Sequence, residues 1–294
     1  MEQKAFKNLS LVQRIKKLLE VIKFEHTIFA LPFALASVAL LAQKPPSVEK
    51  ILLIILALVL ARTAGMAFNR WIDYEIDRKN PRTKVWPHIK GEVPLEWVKL
   101  LAIFSSAAFM VVSYAINMLA FILSPIVVFF LWFYPFAKRI TYFPHLILGI
   151  VYFLIPLAVD VALNGRISLG ALLLGVAMAS WVIGFDILYA LQDYEFDKKH
   201  GVKSLPVKLG KEKAILVARL SHLITFLSLL AVGLIFPKLG VIYFLGLLIL
   251  ALFLLYEHSL IKPNDLSKIN KAFFTINGWI SVIFFLIVLL DIIF

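Results

Sequence analysis

Residues 168–203 read SLGALLLGVAMASWVIGFDILYALQDYEFDKKHGVK. Up to Gln192 the run carries a single charge, Asp186, and it is long enough to cross a hydrocarbon layer, which takes about 20 helical residues. Its character then changes. Asp193 and Asp197 follow four residues apart, and Lys198, Lys199 and Lys203 come directly after them. One passage therefore holds a membrane span and a polar end that the span delivers to one surface, so the fold is to be read as a set of spanning helices.

The same design occurs 120 positions earlier. RTAGMAFNRWIDYEIDRKNPRTK, residues 62–84, places Asp73 and Asp77 at the end of another apolar run and follows them with a basic loop. Asn69 extends the i+4 series backwards, and at about 100° per residue the three side chains fall within roughly 80° on one helical face. Arg62 joins that face, as Asp186 and Tyr189 join the face of Asp193 and Asp197.

Between and around these segments the 294 residues are 62% hydrophobic and 16% charged, with a mean hydropathy of +0.92. A soluble domain carries about 25% charge, so a water-soluble fold is excluded. Spans are expected near 27–43, 51–70, 97–117, 118–136, 142–163, 168–192, 213–235, 239–259 and 272–293. With nine spans the loops alternate sides, and 25 of the 30 Lys and Arg residues sort onto one of them. That side includes Lys4 and Lys7 at the N-terminus, and the other holds only Lys44, Lys50, Arg166 and Lys238. The positive-inside rule makes the basic side cytoplasmic, with the N-terminus inside and the C-terminus outside.

The net charge of +12 lies in these loops and does not form a basic domain, which argues against nucleic acid. Anionic lipid and a phosphorylated substrate fit it better. Residues 10–25, SLVQRIKKLLEVIKFE, set Leu11, Ile15, Leu18, Leu19 and Ile22 at helical spacing, the pattern of a short helix lying at the membrane interface. No Ser/Gly-rich linker divides the chain, so a single domain over 1–294 is expected. The absence of cysteine excludes disulfides and thiolate metal sites.

Carboxylates stacked at i,i+4 repel each other unless a cation lies between them. Oxygen ligands with few other donors suit Mg²⁺, which takes one or two carboxylates and completes its shell with water and phosphate. Four intervening spans return the chain to the same direction, so the two motif helices would run parallel and face one another across a cavity, two Mg²⁺ ions flanking a diphosphate. Glu75, Glu195 and most loop lysines read as ordinary solvated charges. Arg62 and Asp186 lie about two turns into their spans, where a charge costs roughly 2.5–3.5 kcal/mol; they would pair with each other, or Arg62 would reach the diphosphate. An ion-coupled transporter remains the competing reading, although its carboxylates would belong near the midplane.

Four segments resemble the UbiA superfamily of intramembrane prenyltransferases. Asn69, Asp73, Asp77 and Tyr189, Asp193, Asp197 match its NxxxDxxxD and YxxxDxxxD patterns; YPFAKRITYFPHLILG, from Tyr134, is similar to its 4-hydroxybenzoate polyprenyltransferase branch, and KFEHTIFALPFA, from Lys23, to a branch linked to ubiquinone or menaquinone synthesis. The resemblance implies an all-α integral membrane fold of about nine helices around a central cavity, in a bacterial or archaeal cell membrane. It also implies Mg²⁺-dependent transfer of a polyprenyl group from an isoprenoid diphosphate to an aromatic acid: 4-hydroxybenzoate, or a dihydroxynaphthoate of menaquinone synthesis. In that scheme Asp73, Asp77, Asp193 and Asp197 hold two Mg²⁺ ions with Asn69 as a neutral ligand, and Lys138, Arg139, Lys203 and Lys23 bind phosphate oxygens. Tyr189, Tyr134 and Phe185 stabilise the allylic cation, and Arg62, Lys23 or His26 binds the acceptor's acid. One departure stands out. Trp86-Pro87-His88-Ile89-Lys90-Gly91 replaces the family's R-P-L-P-x-G.

Overall fold

The computed structural model describes Phe6 and residues 8–294, so Lys4 and Lys7 lie outside the described residues. Among the described residues the regular structure is helical, apart from one isolated bridge between Lys262 and Asp265. Nine helices among the described residues are long and apolar enough to cross a membrane: Phe24–Leu41, Val48–Ile72, Leu95–Ile116, Met118–Ile140, Pro144–Asn164, Leu169–His200, Lys211–Ile235, Val241–Leu260 and Lys271–Ile293. They coincide with the expected spans. The chain is an integral membrane protein.

The third and fourth spans, which follow each other without a loop, are separated by Asn117. Its backbone is extended at φ −171°, and its Oδ1 accepts the N–H of Ala120 at 2.8 Å, starting the next helix. Ahead of the first span, helix Leu11–Val21 is opened by a capping box in which Ser10 and Gln13 satisfy each other's backbone N–H groups. Leu11, Val12, Ile15 and Leu19 on it are exposed, while Val21 and Ile22 are buried.

The chain divides into two compact units, residues 1–27 with 55–136 and residues 28–54 with 137–294. In the first, Lys17 bonds to Glu92 at 2.6 Å, tying the capped helix to the loop after the first motif. Leu131 packs where Gly65 has no Cβ.

The second unit is built by rules that apply in lipid. On helix Lys211–Ile235, Leu216, Leu220, Leu223, Ile224 and Leu227 point outward, whereas Ser221, His222, Thr225 and Ser228 are buried. Lipid gives leucine no reason to turn inward, so small and polar residues take the helix contacts. Thus Ser180 bonds to Thr225 at 2.9 Å, and Gly184 lets the His222 ring against the backbone of helix Leu169–Ala190. Around that point Trp181 donates to Asn277 at 2.7 Å, Asn277 donates to Glu257 at 2.7 Å, and His222 lies 3.6 Å from Glu257 and 3.0 Å from His258. Glu257 and Asn277 are wholly buried. The last span opens with a π-helical turn, Lys271–Ile276, whose Ala272 carbonyl accepts a bond from the Asn277 side chain at 3.1 Å.

Candidate active site

Both aspartate motifs sit on a break in their helix. The spacing alone suggests continuous helices, but helix Val48–Ile72 stops at Asp73, which has φ −87° and ψ 0° before Tyr74–Lys79 resumes. A 3-10 turn, Leu191–Asp193, ends helix Leu169–Ala190 in the same way, and Asp193 has φ −95° and ψ 3° before Tyr194–His200. This bridge conformation is sparsely populated and recurs at functional sites. Neither aspartate spends its carboxylate on capping the helix that follows. Each middle carboxylate is thereby re-aimed relative to a straight i+4 row.

In the first unit, Asp73 and Asp77 are buried. Asn69 Nδ2 donates to Asp73 Oδ2 at 2.8 Å, and Asn69 Oδ1 accepts from Arg70 Nη1 at 2.7 Å. The arginine can only donate, so it orients the amide. Arg70 also donates to the carbonyl of Val21 at 3.1 Å, and its guanidinium lies 3.9 Å over the Trp86 ring. It is within electrostatic reach of Asp73, Asp77 and Tyr134. Tyr134 itself is half-buried. The Trp86 departure noted in the sequence is therefore where the loop supports a cation, with Arg82 5.6 Å from the same ring.

The loop is wound tightly under the motif. Thr83 donates to the carbonyl of Asp77 at 2.7 Å, and His88 is buried with neither ring nitrogen bonded to a described residue. Burial, aided by Arg70, pushes the His88 pKa down to about 3, so the ring is neutral at pH 7. Arg62 Nη2 approaches the carbonyl of Lys23 at 3.5 Å, and Lys23 holds a left-handed backbone at φ 51° with its ammonium 3.9 Å from Glu25. His26 is half-buried.

In the second unit, Asp197 is buried and Asp193 half-buried. Tyr189 stacks on Phe273 with centroids 3.9 Å apart, and Phe273 also meets Phe185 at 5.3 Å and Phe29 at 5.5 Å. Lys203 donates from its backbone to Lys138 at 2.9 Å and from Nζ to the carbonyl of Ile140 at 3.1 Å. That ties the loop after the motif to Lys138 and the exposed Arg139. Asp186 is held by His145, Nδ1 to Oδ2, at 2.6 Å. Arg70, Phe273 and His145 are the residues that sequence reasoning missed. Arg70 stood among loop cations, Phe273 among 25 phenylalanines, and His145 within a run valued for other residues.

Among the described residues no three His, Asp or Glu side chains converge to hold a metal on their own. The donor set nevertheless fits Mg²⁺, because each motif offers two carboxylates and phosphate and water complete its shell. Buried acids beside buried arginine and lysine-rich loops are the equipment of a membrane enzyme for a phosphorylated substrate.

A model of the UbiA prenyltransferase family matches residues 30–283, and the chain belongs to that family. It is 32% identical over 261 residues to a 4-hydroxybenzoate octaprenyltransferase of Shewanella frigidimarina, covering 87% of this chain and 89% of the relative. A protein of the same name from Pseudomonas entomophila is 35% identical over 248 residues, covering 84% and 82%. The apo structure of a UbiA homologue from Aeropyrum pernix superposes with a TM-score of 0.81 at 33% identity, covering 91% of this chain and 98% of that one. A UbiA homologue from Archaeoglobus fulgidus, solved with DMAPP and Mg²⁺, shares the fold with a TM-score of 0.70 at 20% identity, over 94% and 99% of the chains. Membership decides for a membrane-embedded prenyltransferase and against the transporter reading.

Proposed function

We propose that this chain transfers a polyprenyl group from an isoprenoid diphosphate to an aromatic acid, 4-hydroxybenzoate in the first instance, as a step of quinone synthesis. The observation that carries the reading is the pair of acidic motifs with the same backbone break, at Asp73 and at Asp193. The names of the curated relatives support the acceptor, and the Archaeoglobus fulgidus structures, with DMAPP or GPP and Mg²⁺, support the donor.

Asp73, Asp77, Asp193 and Asp197 would hold two Mg²⁺ ions, which when bound neutralise the departing diphosphate. Asn69 would join them once Arg70 releases its oxygen. Lys138, Arg139, Lys203 and Lys23 would bind phosphate oxygens, and Arg62 the acceptor's carboxylate. The faces of Tyr189 and Tyr134 would stabilise the allylic cation. The distribution of basic loops favours the N-terminus and this chemistry on the cytoplasmic side, and the capped helix Leu11–Val21, with its apolar residues at helical spacing, would lie in the lipid interface.

The test is direct. Purified protein is incubated with Mg²⁺, prenyl diphosphates of several lengths and a panel of aromatic acids that includes a dihydroxynaphthoate, and the products are read by mass spectrometry. Prenylated 4-hydroxybenzoate is expected, lost with EDTA and restored by Mg²⁺. Turnover confined to the naphthoate would move the chain to menaquinone synthesis, and no prenylated aromatic at all would overturn the reading.

A further inference from the structure

Asp186 stands on helix Leu169–Ala190, three residues before Tyr189 and seven before Asp193, on the stretch of the span that leads into the second motif and its 3-10 break. A carboxylate at that depth is costly unless it is engaged. His145 on helix Pro144–Asn164 engages it: Nδ1 lies 2.6 Å from Asp186 Oδ2, with side-chain exposures of 5% for the histidine and 21% for the aspartate. The other ring nitrogen, Nε2, receives the backbone N–H of Leu205 in a long contact of 3.5 Å. An imidazole that accepts at Nε2 carries its proton on Nδ1. His145 is thus the donor, and Asp186 the carboxylate that receives it.

The arrangement is one-sided. The histidine is sealed in, Asp186 is the partly accessible member, and Oδ1 of Asp186 has no hydrogen-bond partner among the described residues. No other titratable side chain among them bonds to Asp186. Along the chain axis, with the longer rise of the 3-10 turn Leu191–Asp193, Asp186 is about 12 Å from Asp193. A diphosphate oxygen at the motif, an attack gap of about 3 Å and the width of a phenol ring fill a length of that order.

We infer that Asp186 is the catalytic base for the acceptor's hydroxyl, and that His145 is a positioning residue that holds it as an oriented carboxylate. The inference rests on the aromatic prenyltransferase reading above. As the ring carbon ortho to the hydroxyl bonds to the allylic carbon, the C–O bond to diphosphate breaks and its electron pair leaves with the diphosphate. The O–H proton passes to Asp186 Oδ1, and a neutral dienone results. The dienone then loses its ring proton to the freed diphosphate and recovers its hydroxyl proton from Asp186. One proton leaves with the diphosphate, and the carboxylate is restored.

The test measures single-turnover transfer to 4-hydroxybenzoate with Mg²⁺ and geranyl diphosphate across pH 6–9. Asp186→Asn is expected to lose about 10²–10³-fold at pH 7 while binding Mg²⁺ and geranyl diphosphate within twofold of the parent. Its rate should climb about tenfold per pH unit as the acceptor ionises in solution. His145→Gln, which keeps a donor, should retain most of the rate, and His145→Leu should lose about tenfold or more. In the unaltered protein 4-methoxybenzoate, which has no hydroxyl proton, should be prenylated at least about 100-fold more slowly than 4-hydroxybenzoate. An Asp186→Asn rate within threefold of the parent, a loss that is equal at every pH, or equal use of the methyl ether would each overturn the assignment. If the parent prenylates no aromatic at all, it is the functional reading that fails.

Discussion

The two motif regions share a backbone break and a basic loop after it, and differ in the side chains packed around them. Asp73 and Asp193 break their helices at nearly the same φ and ψ, yet the first is set among polar and cationic groups, with Asn69, Arg70 and Trp86 in series. The second stands at the end of an aromatic and histidine-supported face, with Tyr189 on Phe273 and Asp186 on His145. The repeated acidic motif keeps its backbone geometry while its surroundings differ. The first unit manages charge; the second offers ring faces and a proton acceptor.

The largest test of that contrast concerns what is shared. Asp73→Ala and Asp193→Ala should each reduce transfer by about 10³-fold or more while the protein still purifies as a folded species, because each leaves its motif one carboxylate short. A variant of either with normal turnover would break the equivalence of the two motifs.

The divergent features should separate kinetically. Arg70→Gln removes a buried cation that orients Asn69, and it should raise KM for the prenyl diphosphate about tenfold or more with a smaller change in kcat. Phe273→Leu removes the ring stacked on Tyr189 and should instead lower kcat about three- to tenfold with KM nearly unchanged. The opposite split would show that the assignments to the two units are exchanged.

The smallest effect is one of acid stability in the first unit. The folded-state pKa of His88 is about 3, below the ordinary 6.5, so between these values the unfolded chain binds the extra proton and stability rises with pH. Acidification from pH 6.5 towards 5 should therefore weaken the fold, by at most about 1.4 kcal/mol per unit. His88→Leu should flatten that slope in detergent melting curves. An unchanged slope would place the acid sensitivity elsewhere.

Much of this was legible in the sequence for a physical reason. Long apolar runs and the alternation of basic loops are one-dimensional signals, so the nine spans were readable together with the break between the third and fourth. The i+4 spacing of Asp73 with Asp77 and of Asp193 with Asp197 was legible as a pattern, but the continuous helices it suggested are interrupted at Asp73 and Asp193. What depends on a partner far along the chain was not. Nothing local marks Arg70 as buried or sends Trp86 beneath it, and Asp186, for which Arg62 was one expected partner, is held by a histidine 41 positions away. Glu257, wholly buried against Asn277, looks in sequence like any charge near a helix end. Nor does hydrophobic periodicity carry the backbone dihedrals at Asp73 and Asp193.

The π-helical turn at Lys271–Ile276 makes its own point. An α-helix advances 100° per residue, and a turn closed by i→i+5 bonds holds one residue more. That extra residue sets the phase between two faces of one helix: Phe273 and Phe274 meet Tyr189, while Asn277 meets Trp181 and Glu257. Deleting one residue there would act as a rotation of about 100° between the aromatic face and the polar clamp. The turn works as a splice that lets one helix keep two appointments, and a change in chain length at this point should be far less tolerated than a change of side chain beside it.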